Sequence, residues 1–189
     1  MSPLQEPLHR HETVLESYTV NGAQADLVAW EESLWCGKQR YAADNVNEPD
    51  IEKLMEEFMA LGDAELSPNQ PEEGWDVCMS FNYLSNQRPS GVFFGFLVES
   101  RDQPQGFDQI WLPPGQYMRV PVTEETARAM EEEPWQGGVP PYQWVSETLA
   151  PRLGFHCPDS SLPIVEYYRH QPDGNINGCW LYVPVAAGK

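Results

Sequence analysis

The sequence predicts an α+β domain made of two strand–helix–strand–strand (βαββ) units, set side by side with a groove at a pseudo-twofold seam. Three observations predict it. A strand carrying a glycine, a helix and a pair of strands occur in that order twice. The chain ends in a hairpin of strands rich in aromatic and branched residues, Pro163-Ile-Val-Glu-Tyr-Tyr168 and Cys179-Trp-Leu-Tyr-Val-Pro-Val185, joined through Gly174 and Gly178. The 189 residues, 41% of them hydrophobic, suffice for one domain with a substantial core.

Residues 1–30 read as an N-terminal extension, in which His11 to Tyr18 is a strand or a short helix and Asn21-Gly22 a turn. The domain proper spans 31–189, with repeat one over 31–100 and repeat two over 106–187. Repeat one starts with a strand from Glu32 to Tyr41, broken at Gly37. A helix begins near Pro49, where Ile51, Leu54, Met55, Phe58 and Leu61 form an amphipathic stripe. Pro49 suits its first turn and Gly62 its C-cap. After an acidic loop over 63–74 come strands from Trp75 to Tyr83 and from Gly91 to Glu99. Repeat two opens with a strand from Phe107 to Val120, broken at Pro113-Pro114-Gly115. An acidic stretch from Thr123 to Glu133 reads as an exposed helix. A second helix runs from Tyr142 to about Leu153, with Tyr142, Val145 and Leu149 on one face and Gly154 as its end. The first strands of the two units are expected to lie adjacent along the seam.

Charge and motifs narrow the function. The formal net charge is −18, which repels phosphates and argues against direct nucleic-acid binding. No basic helix-turn-helix segment is visible, so the chain is expected to carry no DNA-binding domain of its own. No apolar run approaches 18 residues and no export signal is visible, so the expectation is a cytoplasmic protein that crosses no membrane. Cys36, Cys78, Cys157 and Cys179 are widely spaced and expected to be reduced thiols. His9, His11, His156 and His170 show no ligand spacing with them, so no metal or other cofactor is expected. His156 and Cys157 are adjacent in an extended segment and point apart, which disfavours a thiol–base pair.

The Ile110-Trp-Leu-Pro-Pro-Gly-Gln-Tyr117 stretch, the Trp-bearing helix, the strand with Glu166 and Tyr168 as Glu-x-Tyr, and the last strand ending in Pro184-Val185 form a pattern. In that order and spacing, residues 32–187 resemble the GyrI-like small-molecule-binding family, which includes the effector-binding domains of AraC- and MerR-type regulators. The resemblance implies two SHS2-like βαββ repeats around a ligand groove, with the glutamate matching Glu166 lining the cavity. It permits two other functions. Some members hydrolyse cyclopropane-containing toxins, and others bind DNA gyrase, where an acidic surface could mimic nucleic acid.

Glu166 is the central candidate, because a carboxylate in the middle of such a strand is costly unless it meets water, a partner or a ligand. Alternation puts Glu166 and Tyr168 on one face and Val165 and Tyr167 on the other. Trp35, Phe81, Phe94, Trp111, Tyr117, Trp180 and Tyr182 are read as a π-rich wall around it, which would attract cations. The expected ligand is a small, aromatic, cationic compound. If the protein is an enzyme, Glu166 would be the general acid or base with Tyr168 as its hydrogen-bond partner; the sequence does not require catalysis. A structural role would instead pair Glu166 with an internal arginine such as Arg119 or Arg169.

Overall fold

The computed structural model describes residues 5–42, 50–61, 75–82, 89–131, 141–170 and 175–188. Strands β1 (Glu12–Val20) and β2 (Ala23–Trp30) form a hairpin. Its two-residue connection, Asn21-Gly22, has φ of +50° and +86°, the positive pair that a twisted two-residue hairpin turn needs. Strand β3 (Ser33–Tyr41) follows and is continuous through Gly37. Gly37 lies opposite Gly95, and a Cβ on it would fall 1.9 Å from the Phe94 carbonyl oxygen. The glycine therefore permits a close strand approach and does not break the strand.

Helix α1 (Ile51–Ala60) is capped by Asp50, whose carboxylate accepts the Lys53 N–H at 3.0 Å. The positions Pro49 and Gly62 lie outside the described residues. Of the expected stripe, Leu54 and Phe58 pack onto the sheet against Val92 and Phe94, whereas Ile51 and Met55 are 47% and 42% exposed. Strands β4 (Trp75–Phe81) and β5 (Gly91–Val98) follow. The single strand expected over Phe107 to Val120 is two strands, β6 (Asp108–Leu112) and β7 (Gly115–Pro121), in opposite halves of the sheet. Pro113 and Pro114 have no N–H to donate, so the ladder ends there and the chain crosses over.

Helix α2 (Glu124–Glu131) buries Thr126 and Ala129, so the acidic stretch is not wholly exposed. Helix α3 (Pro141–Trp144) runs on through a π turn (Val145–Leu149) into a last turn (Ala150–Arg152). Pro151 cannot donate to the Glu147 carbonyl and would crowd it, and the helix widens just before it, with Ala150 N–H bonding Val145 O. Gly154, at φ +86°, ends the helix. Strands β8 (Phe155–His156) and β11 (Ala186–Ala187) make a small separate pair around the final hairpin of β9 (Ile164–His170) and β10 (Ile176–Pro184). Gly178 is not in the turn but inside β10 at a bulge, and Gly174 lies outside the described residues.

Among the described residues nine strands form one antiparallel sheet in the order β1-β2-β7-β10-β9-β4-β5-β3-β6. From the centre outward, one half runs β4, β5, β3 and the other β9, β10, β7. The strands that meet at the centre are β4 and β9; β3 and β7, expected to be adjacent, lie apart because β5 and β10 occupy their inner edges. The N-terminal hairpin continues this sheet through β2–β7 pairing. Trp30 and Trp35 lie on the second and eighth strands, which in a flat sheet would stand roughly 29 Å apart. Their rings stack at 5.7 Å, so the sheet is strongly curled. Its inner face is an aromatic core of Trp30, Trp35, Phe93, Tyr117, Tyr167 and Tyr182 with their aliphatic neighbours. Its outer face carries the helices, α1 over β3 and β5, α2 over β2, and α3 over β10. No helix among the described residues is long and apolar enough to cross a membrane.

Candidate functional site

Glu166 stands on β9, the middle strand of nine, on the outer face between the two helical covers. It lies directly opposite Cys78 on β4 and Leu181 on β10. It is half-buried, and the Tyr168 hydroxyl donates a hydrogen bond to its carboxylate. One row further along, Tyr168 sits between Asp76 and Cys179. His170 completes the row, with Nε2 2.9 Å from Asp76 Oδ1. Val165 and Tyr167 are buried on the inner face, as strand alternation requires.

The electrostatics of this patch are dominated by burial and by Glu166. Burial first, then the Glu166 charge, pushes both the Cys78 and the Cys179 thiol up to about 12. Both are protonated at neutral pH and therefore poor nucleophiles. Burial and the bond to Glu166 also raise Tyr168 above the ordinary phenol range. Burial raises Asp76, with His170 opposing it. Among the described residues no lysine, arginine or histidine pairs with Glu166. Arg119 pairs with Glu12 and Asp26 on the inner side, and the Arg169 guanidinium lies over Trp180, 5.2 Å from its ring centroid.

The structure brings together only some of the predicted site residues. Phe94 shares the outer face with Glu166 and Tyr168, through the Phe94–Cys78–Glu166 register, and packs under α1 with Phe58 at 6.2 Å. Trp35, Phe81, Tyr117 and Tyr182 are buried on the opposite face. Trp180 is half-buried on that inner side as well, since it alternates with Cys179 and Leu181. Trp111 stands on the edge strand β6, four strands from β9, 46% exposed beneath the Arg101 guanidinium at 5.0 Å. The aromatic wall and the carboxylate therefore occupy different sides of one sheet.

No protein-family model matches the chain, and no curated protein sequence matches it. Solved structures do. A bacterial transcription regulation protein from Staphylococcus aureus MU50 aligns over 88% of this chain and 100% of its own, with 12% identity and a TM-score of 0.50. SAV2435 bound to tetraphenylphosphonium aligns over 91% and 94%, with 12% identity and a TM-score of 0.52. The chain shares its fold with these two proteins. At this identity the likeness is one of fold.

Within this fold the inner face holds a charged group that the sequence reading did not single out. Arg119 is 2% exposed and donates to Asp26 Oδ2 from Nη2 at 2.7 Å and from Nε at 3.2 Å, to Glu12, and to the Glu6 carbonyl at 3.1 Å. Glu12 also accepts Trp30 Nε1 at 3.0 Å, the Tyr182 hydroxyl at 2.7 Å and Leu8 N at 3.0 Å. The signal was present as Asp26 inside the otherwise apolar run from Ala25 to Trp30. A carboxylate there calls for a buried cation.

Proposed function

We propose that the chain is an effector-binding domain that takes a small, aromatic, cationic compound on the outer face of the sheet, with Glu166 as its charge partner. The observation that carries this reading is a half-buried carboxylate at the centre of the sheet that has the Tyr168 hydroxyl beside it and no described cation. A bound cation would supply the missing charge, and the ring of Tyr168 would add a cation–π contact of about 0.5–2 kcal/mol. The liganded neighbour, SAV2435, carries a lipophilic cation, which supports the same class of ligand here. The mirrored strand orders β4-β5-β3 and β9-β10-β7 support two pseudo-twofold βαββ units within 31–189, meeting at the strand that bears Glu166. Strands β1 and β2 then act as an added hairpin. The surface charge of −18 favours cations over anions and fits a cytoplasmic ligand sensor.

Calorimetric titration with tetraphenylphosphonium and with tetraphenylborate, its anionic counterpart of similar shape, tests the reading. The cation should bind in the micromolar range and the anion far more weakly. Equal affinities, or no binding of the cation, would overturn it.

A further inference from the structure

Helix α1 carries two apolar ridges, and the sheet uses one of them. Leu54 and Phe58, four residues apart, pack down on Val92 and Phe94, and the Phe58 ring also lies 5.5 Å from that of Phe96. Ile51, Met55 and Met59 form the next ridge, again spaced by four. They are 47%, 42% and 69% exposed. The rotation of the helix is fixed by an ion pair on its other flank, where the Glu57 carboxylate meets Arg40 Nη2 of β3 at 2.7 Å. With 3.6 residues per turn, Met55 and Glu57 point about 160° apart. The second ridge is therefore held away from both the sheet and the ion pair.

Single apolar side chains on a surface are ordinary, but three in line along about 12 Å of helix make a continuous strip. Two of the three are methionines, whose flexible thioethers mould to different partners. The solvent side of the strip is bordered by Glu52 and Glu56, both exposed. This shape and charge select the occupant. A ridge of residues four apart seats between the matching ridges of another helix. The acidic border favours a helix with basic residues beside its apolar face. A second copy of the chain would bring Glu52 and Glu56 against their own counterparts, with a formal charge of −18 on each side. An anionic lipid surface is repelled for the same reason.

We propose that the Ile51–Met55–Met59 ridge is a docking surface for a basic amphipathic helix of a partner protein. The partner's apolar residues, at helical spacing, lie along the ridge, and its lysines or arginines pair with Glu52 and Glu56. About two turns of each helix are in contact, so the association is weak and strongly dependent on salt. Docking on α1 is separate from cation binding at Glu166, which stands on β9.

The probe is a synthetic peptide of leucine and lysine, about 18 residues long, with its leucines on one helical face. A scrambled peptide of the same composition, and so the same charge, is its control. Calorimetry should show wild type binding the amphipathic peptide about tenfold or more tightly than the scrambled one. The bound peptide should slow hydrogen exchange across residues 51–60. The double variant Met55→Gln, Met59→Gln keeps side-chain length and helix propensity but removes the apolar strip. It should weaken peptide binding by about tenfold or more, with melting temperature and tetraphenylphosphonium affinity unchanged. Glu52→Gln with Glu56→Gln should flatten the salt dependence. No binding by wild type would overturn the proposal. Equal binding of the two peptides, or undiminished binding by the methionine double variant, would mean that net charge alone holds the peptide and would overturn it too. A parallel loss of tetraphenylphosphonium binding would place the ridge in the cation site. A wild-type dimer in sedimentation that the methionine double variant dissociates would assign the ridge to a second copy. Either result would sink the proposal.

Discussion

Glu166 and Cys78 face each other across the β9–β4 pair at the centre of the sheet. The carboxylate contributes to holding the thiol at about 12, after burial, and it does the same to Cys179 on the other side. The two thiols thus act as built-in reporters of the charge at Glu166.

That relationship gives a first prediction. At pH 8 both thiols should react with iodoacetamide far more slowly in the folded protein than in urea, because little thiolate is present. Glu166→Gln removes an electrostatic cause of both shifts, so Cys78 and Cys179 should be alkylated faster. Mass spectrometry of the peptides containing each cysteine measures the rates. An unchanged rate in the variant would mean that burial alone holds the thiols protonated.

Ligand binding supplies the second prediction. Glu166→Gln keeps shape and an acceptor for the Tyr168 hydroxyl while removing charge. It should weaken tetraphenylphosphonium binding by about 1–3 kcal/mol, the scale of a charged hydrogen bond. The melting temperature should stay level or rise, because no described cation loses its partner. Clear destabilisation with intact affinity would make Glu166 a structural group.

Arg119 should behave in the opposite way. Arg119→Met leaves Glu12 and Asp26 buried without their cation, and breaking a buried pair in this manner costs about 3–5 kcal/mol. Urea unfolding should show that loss, while cation binding on the outer face of any protein that stays folded is retained. A loss below about 1 kcal/mol would mean that water or a rearranged segment 5–8 compensates the carboxylates.

Much of this fold was legible because its signals are local. Asn21-Gly22 between two apolar-rich runs marks a turn, and the Ile164–His170 and Ile176–Pro184 strands follow from their aromatic and branched content. The parity of Glu166 and Tyr168 against Val165 and Tyr167 also follows from one strand alone. What was not legible depends on pairing between distant strands. Whether Tyr117 and Tyr182 share a face with Glu166 is decided by the β7–β10–β9 register, and that register places them opposite. The same limit hid the separation of β6 from β7, since a strand break and a crossover have the same Pro-Pro-Gly composition. It also hid the Arg119–Glu12–Asp26 group, whose members are 93 and 107 residues apart in pairing.

His9 carries the last prediction. Its folded pKa is about 3, below the ordinary value of 6.5, with burial as the largest cause. The unfolded chain therefore takes up a proton below pH 6.5 while the folded chain does not. The neutral imidazole contributes its full stability above that pH, and the contribution is lost progressively as pH falls toward 3. One pKa unit corresponds to about 1.4 kcal/mol, so between pH 6.5 and pH 5 the wild type should lose about 2 kcal/mol through this group. His9→Gln has a similar polar side chain that does not titrate. The other acidic and basic groups are common to both proteins, so the difference between their stability curves isolates His9. Urea melts of both proteins at intervals from pH 7.5 to pH 5 measure it. The curves should run parallel above pH 7 and close by about 2 kcal/mol at pH 5, the wild type losing ground. Parallel curves throughout would mean that His9 titrates normally, and that its surroundings are open to water.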